Sequence, residues 1–174
     1  MAVCPIDGGR YGSERIRAIF SEEGKLERML KVEAALARAL SELGEIPREA
    51  AEVIEEKARI GVVNLEEVKE REKVTKHDVV AMVEVLADKC GKYGEYVHWG
   101  ATSYDIVDTA WALALKDAIS IIEEELLSLM EELRRKAEEL EDLVVVGRTH
   151  GQHALPITLG FKFAVFLSEA LRNY

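Results

Sequence analysis

The chain has four histidines, and all four fall in three short clusters that otherwise hold hydroxyls, carboxylates, cations and glycines. The clusters are Lys76-His77-Asp78, His98-Trp99-Gly100-Ala101-Thr102-Ser103-Tyr104-Asp105 and Gly147-Arg148-Thr149-His150-Gly151-Gln152-His153. Imidazole is the side chain whose ordinary pKa lies nearest neutrality, which makes it the usual proton carrier in acid–base catalysis. Histidines without a shared task would be scattered over helix faces. Their grouping with neutral hydrogen-bond donors predicts the proton-handling site of an enzyme.

Each cluster also has a plainer reading. His98 to Asp105 is a Gly-bearing turn feeding a helix N-terminus, where backbone N–H groups and the Thr102 and Ser103 hydroxyls can cradle a carboxylate or phosphate. Ser-x-Asp before a helix is equally a simple cap, and His98 alone fits a packed, hydrogen-bonded histidine. Lys76-His77-Asp78 offers a cation, an imidazole and a carboxylate, yet Asp78 at a helix start is already favoured by the helix dipole. The third cluster is denser. Gly147 and Gly151 allow close backbone approach to a ligand, Thr149 and Gln152 supply neutral donors, and His150 a titratable one. The His150/His153 spacing admits a metal pair, but no Cys or HExxH pattern accompanies it, so no metal is expected. Arg10-Tyr11, among Gly8, Gly9 and Gly12, is a further candidate grip for phosphate.

The elements that must carry these clusters read as helices. Ser21 is placed to cap a helix whose apolar positions Leu26, Leu30, Ala37, Leu40 and Leu43 run to Gly44. Pro47 suits the first turn of a second helix, with Ala51, Ile54 and Ala58. Asn64 is a candidate cap for a charged helix over 65–73, and another helix with Val80, Val83 and Leu86 follows His77. Ser103 or Asp105 then opens a long rod from Ile106 to Leu140, roughly 55 Å at about 1.5 Å per residue. Rods of that length pack in bundles. Val144-Val145-Val146 reads as a short, extended connector, and Pro156 as the opening of a last helix carrying Ile157, Phe161, Phe166 and Leu171. The charge runs Glu123-Glu124-Glu125 and Glu131-Glu132 read as solvated faces. Together these predict an all-α architecture, with a small N-terminal helical domain over 1–103 and the start of a long-helix bundle over 104–174.

Composition narrows the function further. With 48% apolar and 32% charged residues, the 174-residue chain suits one ordinary domain and part of another. A net charge of −10 argues against a nucleic-acid groove or an anionic membrane surface as partner. A small anionic substrate is compatible with it, because local cations and helix N-termini outweigh a diffuse field. The N-terminus lacks the pattern of a signal peptide and no apolar run approaches the roughly 20 residues of a membrane span. Cys4 and Cys90 are too few for a disulfide framework, so both are expected as reduced thiols in a cytoplasmic protein.

Taken in order, four motifs resemble one family. Arg10-Tyr11 followed by Phe20-Ser21-Glu22-Glu23, then Lys76-His77-Asp78-Val79, then His98-x-Gly100-x-Thr102-Ser103-x-Asp105-Ile106-Val107-Asp108-Thr109-Ala110, then Gly147-Arg148-Thr149-His150-Gly151-Gln152-His153-Ala154-x-Pro156 are similar to the fumarase/aspartase superfamily, in its adenylosuccinate lyase branch. The resemblance implies a fumarase/aspartase-type helical bundle. It implies a β-elimination that releases fumarate from a succinylated purine nucleotide, with no cofactor, in a homotetramer. By the same resemblance His150 is the general acid, assisted by His77. Thr102, Ser103 and Thr149 hold the succinyl carboxylates, while Arg10, Tyr11, Lys76 and Asp78 touch the nucleotide. His98 and Gln152 lie near the site. The family's flexible loop, with the serine proposed as general base, is expected beyond Tyr174, so the 174 residues alone are expected to be inactive. Three readings compete with this one: a sister lyase of the superfamily, a non-catalytic helical assembly module, and a metal-binding helical protein.

Overall fold

The computed structural model describes residues 11–174. Arg10 and Cys4 therefore lie outside the described residues. Among the described residues, seven α-helices and one β-hairpin follow in the order α1 (Glu14–Ile19), α2 (Glu22–Glu42), α3 (Arg48–Lys57), α4 (Leu65–Thr75), α5 (Asp78–Cys90), α6 (Ser103–Glu139), β1 (Val144–Thr149), β2 (Gln152–Thr158) and α7 (Leu159–Asn173). A short 3-10 turn, Gly91–Tyr96, follows α5. The chain divides into two compact units, Met1–Ala118 and Ile119–Tyr174.

Local chemistry explains most helix ends in the first unit. The Ser21 hydroxyl accepts the Gly24 N–H at 2.9 Å, so α2 begins where its capping residue stands. It stops at Gly44, whose φ of 78° lets the Gly44 N–H reach the Ser41 carbonyl and the Glu45 N–H the Leu40 carbonyl. That pair of bonds is a Schellman ending, and it satisfies two of the orphan carbonyls of the last turn. Pro47 stands at the cap position of α3. Asn64 precedes α4 without a side-chain capping bond, and α4 runs on to Thr75, past the expected end at 73.

Around α2 lies a continuous core. Leu30, Ile54, Val63, Ala81 and Leu86 are fully enclosed, and Val79, Met82 and Ile106 nearly so. At about 25 cal/mol per Å² of apolar surface removed from water, each of these side chains larger than alanine contributes roughly 1.5–3 kcal/mol. Cys90 belongs to this core, and burial pushes its thiol up to about 11. Among the described residues it acts as a small hydrophobe.

The second unit departs from expectation in one element. Val144–Thr149 and Gln152–Thr158 pair antiparallel, so Pro156 sits in a strand, opposite Val146, and α7 begins only at Leu159. The hairpin closes through two residues, His150 and Gly151, with φ of 50° and 69°. Positive φ at both central positions is the two-residue turn whose twist matches that of paired strands. A bulge shifts the register by one residue between Val146 and Arg148, where Gly147 alone faces Ala154 and Leu155 of β2. A Cβ there would stand 2.6 Å from the Leu155 carbonyl oxygen, so only glycine fits. Thr158 then caps α7, its hydroxyl accepting the Phe161 N–H at 3.1 Å. On the rod, Arg134 and Arg135 bond Glu131, Glu138, Glu132 and Glu139, as befits a solvated charged face.

Candidate functional site

Three non-glycine residues among those described have positive φ: Lys76 (57°), His98 (62°) and His150 (50°). One belongs to each histidine cluster. Left-handed backbone is uncommon outside glycine and asparagine, and it concentrates where a fold holds side chains for a purpose other than its own stability.

The first cluster fills the joint between α4 and α5. Lys76 ends α4 in the left-handed conformation, its N–H bonded to the Glu72 carbonyl at 2.8 Å. His77 caps α5, with Nδ1 accepting the Val80 N–H at 3.4 Å. In neutral imidazole that acceptor role puts the proton on Nε2, exposed at the surface. Thr75 pins the backbone here, its hydroxyl donating to the His77 carbonyl at 3.1 Å and accepting the His77 N–H at 3.3 Å. Asp78 pairs with Lys25 of α2 at 3.0 Å and accepts the Val79 N–H at 2.9 Å. Partial burial works to raise its carboxyl. The Lys25 hydrogen bond, the Val79 amide and the Lys25 charge together outweigh this and hold it below the usual range.

The second cluster links the 3-10 turn to α6. The Ala101 N–H bonds back to the His98 carbonyl, with His98 and Gly100 both left-handed, which turns the chain into the helix. Asp105 accepts the Thr102 N–H at 2.8 Å, so its carboxylate stabilises the loop that precedes the helix. Thr102 is exposed and Ser103 half-buried at the first turn of a 37-residue helix. An open groove of about 400 Å³ runs beside this loop between α2 and α6, lined by Val32, Leu36, Gly100, Ala101, Asp105 and Thr109. His98 turns inward, its Nδ1 2.6 Å from Oε1 of Glu33 on α2.

Helix α2 thus anchors two clusters, through Lys25 and Glu33. These are eight residues apart, about 12 Å along the axis at 1.5 Å per residue. Neither anchor was evident from motif spacing, nor was Thr75. For Glu33 a signal exists: it stands in the apolar stripe of Leu26, Leu30 and Ala37, where a carboxylate needs a reason.

The third cluster occupies the hairpin of the second unit. Thr149 and Gln152 flank the turn and His150 stands at its apex, all three exposed. Arg148 lies across from His153. Tyr11, in the first unit, is exposed just before α1. No group of three or more His, Cys, Asp or Glu arranged for a metal occurs among the described residues. No described helix is long and apolar enough to cross a membrane.

The motifs and their scaffold have clear counterparts. A family model described as a lyase matches residues 9–174. The chain belongs to this lyase family. Over 174 residues it is 58% identical to an adenylosuccinate lyase of Methanocaldococcus jannaschii, covering 99% of this chain and 37% of that protein. It is 52% identical to an adenylosuccinate lyase of Pyrococcus abyssi, with 99% and 38% covered. Among solved structures, a fumarate lyase from Mesorhizobium sp. BNC1 superposes with a TM-score of 0.86 at 37% identity, over 93% of this chain and 39% of that one. The chain spans less than two-fifths of the length of the curated relatives it matches. The kinship read from the four motifs and the predominantly helical fold expected from it both stand.

Proposed function

We propose that this lyase chain carries the first part of an enzyme that cleaves adenylosuccinate to AMP and fumarate, and the corresponding succinyl-carboxamide ribotide to its carboxamide and fumarate. The observation that carries this reading is the 58% identity, over 99% of the chain, to a protein named for that activity. The reaction is a β-elimination. Removing the proton next to a carboxylate builds extra negative charge on that carboxylate in the transition state, and neutral hydroxyl and N–H donors placed there stabilise it. Thr102 and Ser103 at the start of α6, and Thr149 beside the hairpin turn, are the groups we assign to the succinyl carboxylates. His150 delivers the proton to the leaving nitrogen as general acid.

His77 assists from the cap of α5, where a neutral ring offers an Nε2–H to the ligand. Lys76, Asp78 and Tyr11, with Arg10, are assigned to the nucleotide, and Gln152 and His98 to the edge of the pocket. Proton transfer and charge stabilisation account for every step, so the mechanism requires no metal or redox cofactor. We further propose a homotetramer acting in the cytoplasm, with 1–103 and 104–174 as its functional divisions. The breadth of exposed apolar surface on α6 and α7 supports assembly: Ile119, Ile122, Leu129, Phe161 and Leu171 all stand more than half exposed.

The test is an assay of the complete gene product for fumarate release from adenylosuccinate and from other succinyl adducts in parallel. Preference for adenylosuccinate supports the reading, whereas preference for another adduct assigns the chain to a sister lyase. Absence of release from every adduct, in a protein that still assembles, leaves a structural module.

A further inference from the structure

Glu33 is costly to the fold. Its side chain is 1% exposed within the stripe of α2 that faces the core. One oxygen, Oε1, meets His98 Nδ1 at 2.6 Å, and the other, Oε2, is buried with no hydrogen-bond partner among the described residues. Burial raises the Glu33 carboxyl above its ordinary value, against the opposing pull of the His98 hydrogen bond and charge. Glutamine or leucine at this position would spare the interior an underpartnered charge. His98 adds a second cost through its left-handed backbone. Two unfavourable features meeting in one contact imply that the contact serves something other than stability.

The pair runs from inside to outside. Glu33 is enclosed, while the His98 side chain keeps 18% of its surface exposed. No described residue bonds His98 Nε2. The ring belongs to the loop that delivers Thr102 and Ser103 to the start of α6.

We propose that Glu33 is a positioning residue. It accepts the Nδ1–H of His98, fixes the ring's orientation and tautomer, and leaves Nε2 as the one nitrogen available to substrate. A histidine that can flip or exchange tautomers presents a donor and an acceptor indifferently, whereas one tethered through Nδ1 presents a single, defined atom. This proposal rests on the fumarate-releasing reading for its consequence, but not for its geometry.

The experiment uses the complete gene product with Glu33→Leu, Glu33→Asp and Glu33→Gln. Leucine removes the acceptor, aspartate draws it back by one methylene, and glutamine keeps a neutral carbonyl acceptor in nearly the same shape. Turnover of adenylosuccinate should fall by about 10–100-fold in the leucine and aspartate variants and less in glutamine. The melting temperature of the leucine and glutamine variants should equal or exceed that of the wild type.

Nitrogen-15 NMR of histidine-labelled protein should show His98 carrying its proton on Nδ1 in the wild type and losing that preference in Glu33→Leu. Wild-type turnover in both the leucine and the aspartate variants would overturn the proposal. So would a wild-type His98 unprotonated at Nδ1, or a loss of activity matched by loss of folded protein in all three variants. If no variant and no wild type releases fumarate, the lyase reading falls, while the NMR result still decides whether Glu33 sets the tautomer.

Discussion

The two units place their histidines on very different foundations. In the first, His77 and His98 are tied into a closed core: Thr75 pins the His77 backbone, Glu33 holds His98 from within, and the helix that anchors both clusters is packed by Leu26, Leu30 and Ala37. In the second, His150 stands at the apex of a hairpin whose strands are mostly exposed, and its helix α7 buries only Gly160 and Ala170. The first unit encloses a continuous core, although Leu43, Val74 and Leu115 stay exposed, whereas the second buries few apolar side chains and shows Ile119, Ile122, Leu129, Phe161 and Leu171 to solvent. Positional precision follows packing. The first unit therefore holds His77 and His98 in fixed places by its own packing. In the second, His150 would gain an equally fixed place if the proposed assembly covered the apolar side chains of α6 and α7.

The largest effect expected from testing this contrast is on chemistry. Replacing His150 by Ala in the complete protein should lower the rate of fumarate release by about 10²–10⁴-fold, the usual contribution of a positioned general acid. Because the imidazole is exposed, the melting temperature should hardly move. Steady-state kinetics beside a thermal melt read both quantities, and a small loss of rate would remove His150 from its role.

Next comes the core of the first unit. Leu30 is fully enclosed, and Leu30→Ala should cost about 2–5 kcal/mol of unfolding free energy. Chemical denaturation of the 174-residue chain, followed by circular dichroism, measures this. A cost below about 1 kcal/mol would mean that the first unit is no better packed than the second, and the contrast would dissolve.

How much of this was legible in the sequence follows the same division. Helices with their own capping chemistry could be read directly: Ser21 opens α2, Gly44 closes it, and the rod begins at Ser103. The hairpin was missed because Pro156 looked like a helix opener. Its strand pairing depends on a two-residue turn at His150-Gly151 in which histidine, not asparagine, adopts the left-handed conformation. The three clusters were legible because their residue types are unusual together. Their supports were not, since Lys25, Glu33 and Thr75 are common residues whose importance arises only from where α2 and the α4–α5 joint place them.

A smaller effect is expected at the turn itself. Gly151 has φ of 69° and a Cβ there would meet nothing within 4 Å, so Gly151→Ala carries backbone strain without a clash. The cost should be about 1–2 kcal/mol, felt locally. Hydrogen exchange at β1 and β2 should quicken while that of α2 and α5 stays unchanged. Equal quickening in all four would show that the hairpin and the first unit unfold together, contrary to the contrast drawn above.

The smallest effect belongs to the exposed face of α7. Phe161 is 61% exposed, and in the 174-residue chain Phe161→Ser removes little packing. Its unfolding free energy should stay within about 0.5 kcal/mol of the parent, the usual range for a surface change. In the complete protein the same substitution should weaken the proposed assembly, in which the ring would have a partner surface to lose. Sedimentation of both forms, side by side with denaturation, separates the two cases. A residue silent in the chain alone but consequential in the assembled protein is what an interface waiting for its partner requires. If Phe161→Ser is instead silent in both, α7 presents its apolar face to solvent in the whole enzyme as well. His150 would then have to be held by the hairpin's own hydrogen bonds alone.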